Sequence, residues 1–179
     1  MKKYQIIYAD PPWKYGKWGK PTNRHNQEYE LPYDSMSIKE ICNLPVGELA
    51  DENCELYLWV TQKYLPEAFG VIKAWGFRYC QILTWCKTPR GTGQGGVYTP
   101  TTEFLILARR GKAPKVKRID TTWWNFKRTN VHSKKPREFR QLIEGVSEKP
   151  RLELFAREKT DGWDVWGNEV KSDIELGVD

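Results

Sequence analysis

The sequence is poor in residues that hold metals or cross-link a fold. It has four cysteines and two histidines. Cys42, Cys54, Cys80 and Cys86 form no Cys-x-x-Cys pair, and His25 and His132 lie far apart. Neither a zinc site nor a disulfide framework is expected, and the cysteines read as small core hydrophobes. Long apolar runs are also missing: none approaches the roughly 20 residues that span a bilayer. The opening Met1-Lys2-Lys3-Tyr4-Gln5 leads straight into a strand-like segment with no signal-peptide core. A cytoplasmic setting is expected, and any catalysis must rest on groups other than a thiol or a metal. The 179 residues suit one domain over 1–179 with a well-buried core.

Charge is present but unevenly placed. Residues 109–140 hold Arg109, Arg110, Lys112, Lys115, Lys117, Arg118, Lys127, Arg128, Lys134, Lys135, Arg137 and Arg140 against only Asp120 and Glu138. Twelve cations less two anions make this segment +10 in a chain of +6, so the remainder is −4. Trp123, Trp124 and Phe126 interleave the cations. Phosphate-neutralising charge beside stackable rings is what a nucleic-acid partner requires. The alternative is a solvated basic loop that binds nothing.

The hydrophobic pattern alternates between strand and helix. Tyr4–Ala9 reads as a strand ended by Asp10-Pro11-Pro12, and residues 14–34 as a long loop. Ser37 and Glu40 form a capping-box pattern before a short helix. Glu55–Val60, Phe77–Cys86, Thr102–Ala108 and Leu152–Ala156 read as strands. A helix is expected after Thr61, with Leu65, Phe69, Ile72 and Trp75 on one face and Gly76 at its end. Another follows Pro136, where Phe139, Leu142, Ile143 and Val146 are spaced i, i+3, i+4, i+7. This alternation predicts an α/β domain with a mostly parallel sheet.

Two motifs bear on chemistry. Gly91-Thr92-Gly93-Gln94-Gly95-Gly96 satisfies G-x-G-x-x-G in letters, but a β-prone run follows where that fingerprint needs a helix, so it reads as a loop. Asp10-Pro11-Pro12-Trp13 lies at a strand's carboxyl end, where open α/β sheets bind ligands. Asp10 offers a carboxylate, Pro11 a carbonyl on a stiff backbone, and Trp13 a flat ring. Two acceptors beside a ring suit the exocyclic amine of a planar base. A strand-ending turn with a packed tryptophan is the other reading. Adenine N6 is a poor nucleophile because its lone pair is delocalised. Hydrogen bonds from both N6 protons to Asp10 and the Pro11 carbonyl favour a pyramidal nitrogen, and positioning supplies much of the remaining acceleration.

Asp10-Pro11-Pro12-Trp13 resembles the signature of the MT-A70 family of S-adenosylmethionine-dependent adenine-N6 methyltransferases. Leu31-Pro32-Tyr33 with Met36 and Ser37 resembles the family's active-site loop. Leu58-Trp59-Val60-Thr61 and Trp85-Cys86-Lys87-Thr88 resemble its next strand ends. Lys135-Pro136 is similar to its His-Lys-Pro turn, with Lys134 in the histidine's place. Leu152–Arg157, Gly162-Trp163 and Gly167-Asn168-Glu169 are similar to its C-terminal part.

The resemblance implies a Rossmann-like methyltransferase sheet with helices on both faces and permuted motif order, the amine-binding motif early and the cofactor strand late. It assigns catalysis to Asp10, Pro11, Pro12 and Trp13. Cofactor binding falls to Asp10, Lys135, Phe155, Arg157, Lys159, Thr160, Asn168 and Glu169. Lys159 and Thr160 stand where His and Asn are frequent, and Glu169 where glutamine is common. Tyr33, Trp85 and Lys87 are expected to border the substrate adenine, and Lys115, Lys117 and Arg118 to bind the nucleic acid. The chain is similar to small microbial or phage members, which favours DNA over RNA, and a homodimer would double its recognition loops. An RNA methyltransferase, a silent nucleic-acid-binding subunit and a methyltransferase for another amine stay open at this point.

Overall fold

The computed structural model describes residues 2–14, 35–88, 97–112, 118–128 and 134–177. Tyr33, Lys115 and Lys117, most of the long loop over 14–34 and the Gly91–Gly96 run lie outside them.

A seven-stranded sheet carries the molecule: β1 (Tyr4–Ala9), β2 (Ala50–Val60), β3 (Arg78–Cys86), β4 (Thr102–Arg110), β5 (Trp123–Trp124), β6 (Arg151–Leu154) and β7 (Asp164–Trp166). Their order is β5-β3-β4-β2-β1-β6-β7. β1 pairs in parallel with both β2 and β6, and β6 with β7. β4 runs antiparallel to β2 and β3, while β3 and β5 are parallel. The sheet is therefore mostly parallel, with one reversed strand.

Among the described residues, four α-helices cover it: α1 (Ile38–Asn43), α2 (Val46–Leu49), α3 (Leu65–Ala74) and α4 (Arg137–Val146). Alternation along the strands sorts them to the two faces. Ile7, Ala9, Leu56 and Leu58 pack with Ile41, Val46, Val71 and Ile72 from α1–α3. Their strand neighbours Tyr8, Tyr57 and Trp59 join Phe139 and Ile143 of α4. The predicted capping box is present: Ser37 N–H donates to Glu40 Oε2 at 2.7 Å and Glu40 N–H to Ser37 Oγ at 3.3 Å. Thr61 precedes a 3-10 turn over Gln62–Tyr64 but makes no side-chain cap there. Gly76 ends α3 at φ +80°, a conformation that favours glycine.

This topology defines where ligands go. From β1 the chain moves outward through β2 on one side and returns as β6 on the other, so β1 stands at a topological switch point. With Ala9 opposite both Leu58 and Leu154, Asp10, Thr61 and Phe155 emerge along one edge. β4 starts at that edge, because Phe104 faces Val60, and runs away from it.

Candidate active site

A cavity of about 200 Å³ opens on that edge, lined among others by Asp10, Pro11, Pro12, Trp13, Glu103, Lys135, Phe155, Arg157, Asn168 and Glu169. Residues from both ends of the sequence meet here.

The turn after β1 is held at several points. Trp13 N–H donates to the Pro11 carbonyl at 2.9 Å, and Met36 N–H to the Pro12 carbonyl at 2.8 Å. Since a carbonyl carries two lone pairs, Pro11 keeps one for a ligand. The Trp13 indole is 4% exposed, donates to the Trp59 carbonyl at 3.2 Å and stacks on Tyr64 at 5.5 Å. The ring is thus held by Tyr64 and the Trp59 carbonyl, and Trp13 lines the cavity beside the two prolines.

Asp10 does not stand alone. Lys135 Nζ lies 2.9 Å from Asp10 Oδ2 and 2.8 Å from Glu103 Oε1, and Lys87 Nζ lies 2.8 Å from Glu103 Oε2. Asp10, Lys135, Glu103 and Lys87 form a chain of alternating charge. Beneath it, Lys135 sits over the Trp59 ring at 5.4 Å and Lys87 over Trp85 at 5.1 Å, a favourable use of two electron-rich faces. Burial pushes the Asp10 carboxyl up, Lys135 pulls it down, and Glu103 adds to the rise; the net direction is upward. Burial also opposes the charge on Lys135, yet Asp10 and Glu103 outweigh it and hold the ammonium well above the usual lysine range. For Glu103 burial is overcome by Lys135 and Lys87, leaving its carboxyl below the usual value.

The opposite wall comes from β6 and β7. Phe155 adopts φ +61°, a left-handed conformation costing a non-glycine residue about 1–2 kcal/mol. Its ring meets Trp166 at 5.4 Å. Such outliers concentrate at ligand sites. Gly167 is required by close packing: a Cβ there would lie 2.2 Å from the Ala156 carbonyl oxygen and 2.7 Å from its nitrogen. Arg157 and Glu169 pair across the rim at 2.9 Å.

The MT-A70 family model matches residues 4–169. The chain belongs to the MT-A70 family. It is 30% identical to the type II methyltransferase M.MunI of a Mycoplasma species, over 94% of this chain and 78% of that protein. The N6-methyladenosine RNA methyltransferase MTA1 of Cryphonectria parasitica is 29% identical over 93% of the chain and 52% of its own length. The Drosophila melanogaster N(6)-adenosine-methyltransferase MT-A70-like protein is 28% identical over 95% of the chain. The chain spans 27% of that protein's length.

Not every residue expected from the MT-A70 pattern reaches the cleft. Trp85 is 3% exposed and donates from Nε1 to the Phe126 carbonyl at 2.8 Å. It lies inside the α4-side core, supporting Lys87 and leaving no face open to a base. Lys159 turns to Asp173, and the Thr160 carbonyl accepts from Trp163 N–H at 3.1 Å; neither lines the cavity. Lys134, in the histidine's place, pairs with Glu158 at 2.8 Å.

Arg118 is more distant still. It pairs with Asp120 in solvent and lines a second cavity of about 220 Å³ beneath α4, with Glu55, Tyr57 and Arg109. Arg109 marks the end of that cavity in the far half of the sheet. The antiparallel direction of β4 explains this: at about 3.3 Å per residue, its nine residues carry Arg109 and Arg110 roughly 25 Å from the Thr102 end. Both are committed to the fold there, Arg109 to Glu55 at 2.7 Å and Arg110 to the Gly47 carbonyl at 2.7 Å.

Glu103 and Trp166 are site residues that sequence reasoning missed. Among the described residues no cluster of three His, Cys, Asp or Glu side chains could hold a metal, and no helix is long and apolar enough to cross a membrane. Cys54 is buried, and burial pushes its thiol up to about 12, too high for a nucleophile at neutral pH.

Proposed function

We propose that the protein transfers a methyl group from S-adenosylmethionine to N6 of adenine in DNA. The observation that carries this reading is the meeting, in one cleft, of the Asp10–Pro11 corner at the end of β1 with Phe155, Arg157, Asn168 and Glu169 at the ends of β6 and β7.

The lining suits the cofactor's chemistry. Asp10 is an anion for the positively charged methionine end, and Lys135 a cation for its carboxylate. Phe155 and Trp166 offer apolar edges to adenine, while Arg157, Asn168 and Glu169 offer polar groups to the nucleoside. When bound, the cofactor supplies an electrophilic methyl on a sulfonium.

The chain's own residues do the rest. Asp10 and the free lone pair of the Pro11 carbonyl accept hydrogen bonds from the two N6–H groups, fixing the amine and localising its lone pair. The positive charge that grows on nitrogen meets a fixed carboxylate and carbonyl dipole that need no reorganisation. Lys135 keeps Asp10 ionised inside a partly desolvated corner, and Glu103 keeps Lys135 in place. Duplex DNA requires the target base to leave the stack, at a cost of a few kcal/mol.

DNA is favoured over the RNA named for the fungal relative because the likeness takes in 78% of the type II methyltransferase M.MunI and 52% of the fungal protein. Incubation with labelled methyl donor and mixed DNA and RNA, followed by nucleoside analysis, tests both points. Labelled N6-methyladenine in the DNA fraction is expected. Label in RNA alone overturns the substrate, and label in neither overturns the activity.

A further inference from the structure

The reversed strand β4 divides the basic segment into two groups with different surroundings. Arg109 and Arg110 lie in the far half of the sheet, and they and Arg118 each have a protein acceptor. Lys127 and Arg128 lie elsewhere. Residue 127 forms a parallel bridge with Thr88, and Arg128 N–H donates to the Thr88 carbonyl at 2.7 Å. Just before them, the Phe126 carbonyl accepts from Trp85 Nε1 at 2.8 Å, and the Phe126 ring packs on Phe139 at 5.2 Å. The backbone of this pair is therefore anchored to the end of β3.

That end borders the reaction corner. Thr88 follows Lys87, the last member of the charge chain leading through Glu103 and Lys135 to Asp10. It is also the side away from β6 and β7, whose ends form the proposed cofactor wall. Lys127 and Arg128 are exposed, and among the described residues neither has an ion-pair partner. Lys87, Lys134, Lys135, Arg109 and Arg118, by contrast, are each neutralised by an acid.

We propose that Lys127 and Arg128 are the phosphate contacts that seat the target DNA strand at the acceptor side of the cleft. This rests on the methyltransferase reading above and adds where the strand lies. Two exposed cations on a fixed backbone suit a polyanion: they bind phosphate without reading sequence, and their binding releases condensed counterions. The bidentate fork of Arg128 and the point charge of Lys127 both serve that purpose.

The test compares Lys127→Ala/Arg128→Ala with the unaltered full chain. Binding of a fluorescein-labelled, adenine-containing single-stranded DNA is followed by anisotropy across a salt series. Losing two contacts should flatten the plot of log affinity against log salt by about 1.4, at roughly 0.7 per single-strand contact. Affinity at low salt should fall about tenfold or more, while calorimetric S-adenosylmethionine affinity stays unchanged. Lys127→Gln/Arg128→Gln, which keeps side-chain bulk, should behave alike. An unchanged slope overturns the proposal, as does an unaltered protein that binds no DNA. A protein that binds DNA through these residues but makes no N6-methyladenine overturns only the reading of the reaction.

Discussion

Asp10 and Glu103 share one ammonium: Lys135 Nζ sits 2.9 Å from the first and 2.8 Å from the second. Two acids and a base form a unit with one negative charge in excess, and Lys87 balances it. Each member sets the protonation of the others, so pH dependence reads their coupling directly.

Transfer requires the ionised Asp10, because a carboxylic acid surrenders acceptor capacity. Burial raises this carboxyl, so the acid limb of kcat/KM should lie above the ordinary aspartate range near about 3.9. Glu103→Gln removes a negative neighbour and should move that limb to lower pH. Lys135→Met removes the cation and should move it higher, with a loss of stability because the buried Glu103 and the half-buried Asp10 lose their shared partner. Stability carries the opposite signs for the two acids. Glu103, held low, stabilises the fold above the ordinary glutamate value, and this is lost as pH falls through its lowered value. Asp10, held high, favours the fold on protonation. A pH–rate series on the three proteins checks the limbs, and shifts in the reverse order would refute the coupling.

Asp10→Ala should reduce transfer at least about a hundredfold, the scale of deleting one aligned transition-state contact. The fold should persist, since the Asp10 side chain is about a third exposed and Lys135 retains Glu103. Labelled-methyl incorporation beside a thermal melt separates the two effects. Retained transfer would remove Asp10 from the chemistry.

How far the sequence revealed this site depends on the range of each interaction. The turn after β1 was legible because Asp10, Pro11 and Pro12 act within one tetrapeptide. The Ser37–Glu40 box and the Gly76 stop were legible for the same reason. Glu103 was not: in Thr102–Arg110 it is one acid in a β-prone run, and its role depends on lysines 16 residues before and 32 after. Nor was the division of the basic segment, which depends on β4 running backwards. β5 and β7, at two and three residues, are too short for an alternating pattern to register.

Gly167→Ala tests the cofactor wall. Its added Cβ would meet the backbone of Ala156, which cannot rotate away as a side chain could, so the ends of β6 and β7 must part. Stability should fall by about 1–3 kcal/mol, the usual cost of overpacking. S-adenosylmethionine affinity should fall with it. Denaturant unfolding and titration calorimetry measure the two. Normal cofactor affinity in the variant would place the nucleoside elsewhere.

Arg109→Ala distinguishes a structural cation from a nucleic-acid contact. Glu55 is 4% exposed and accepts from Arg109 Nε at 2.7 Å, Tyr57 OH at 3.0 Å and Ser147 Oγ at 3.2 Å. Removing the arginine leaves that carboxylate with two neutral donors and no opposing charge. Stability should drop by about 3 kcal/mol, toward the lower end for broken buried pairs because Arg109 is itself partly exposed. Arg109→Met with Glu55→Gln should recover part of the loss by removing both charges. The salt slope of DNA binding should stay unchanged in both variants, since this pair lies at the end of β4 remote from Asp10. A slope that flattened with Arg109→Ala would return the far half of the basic segment to the DNA interface.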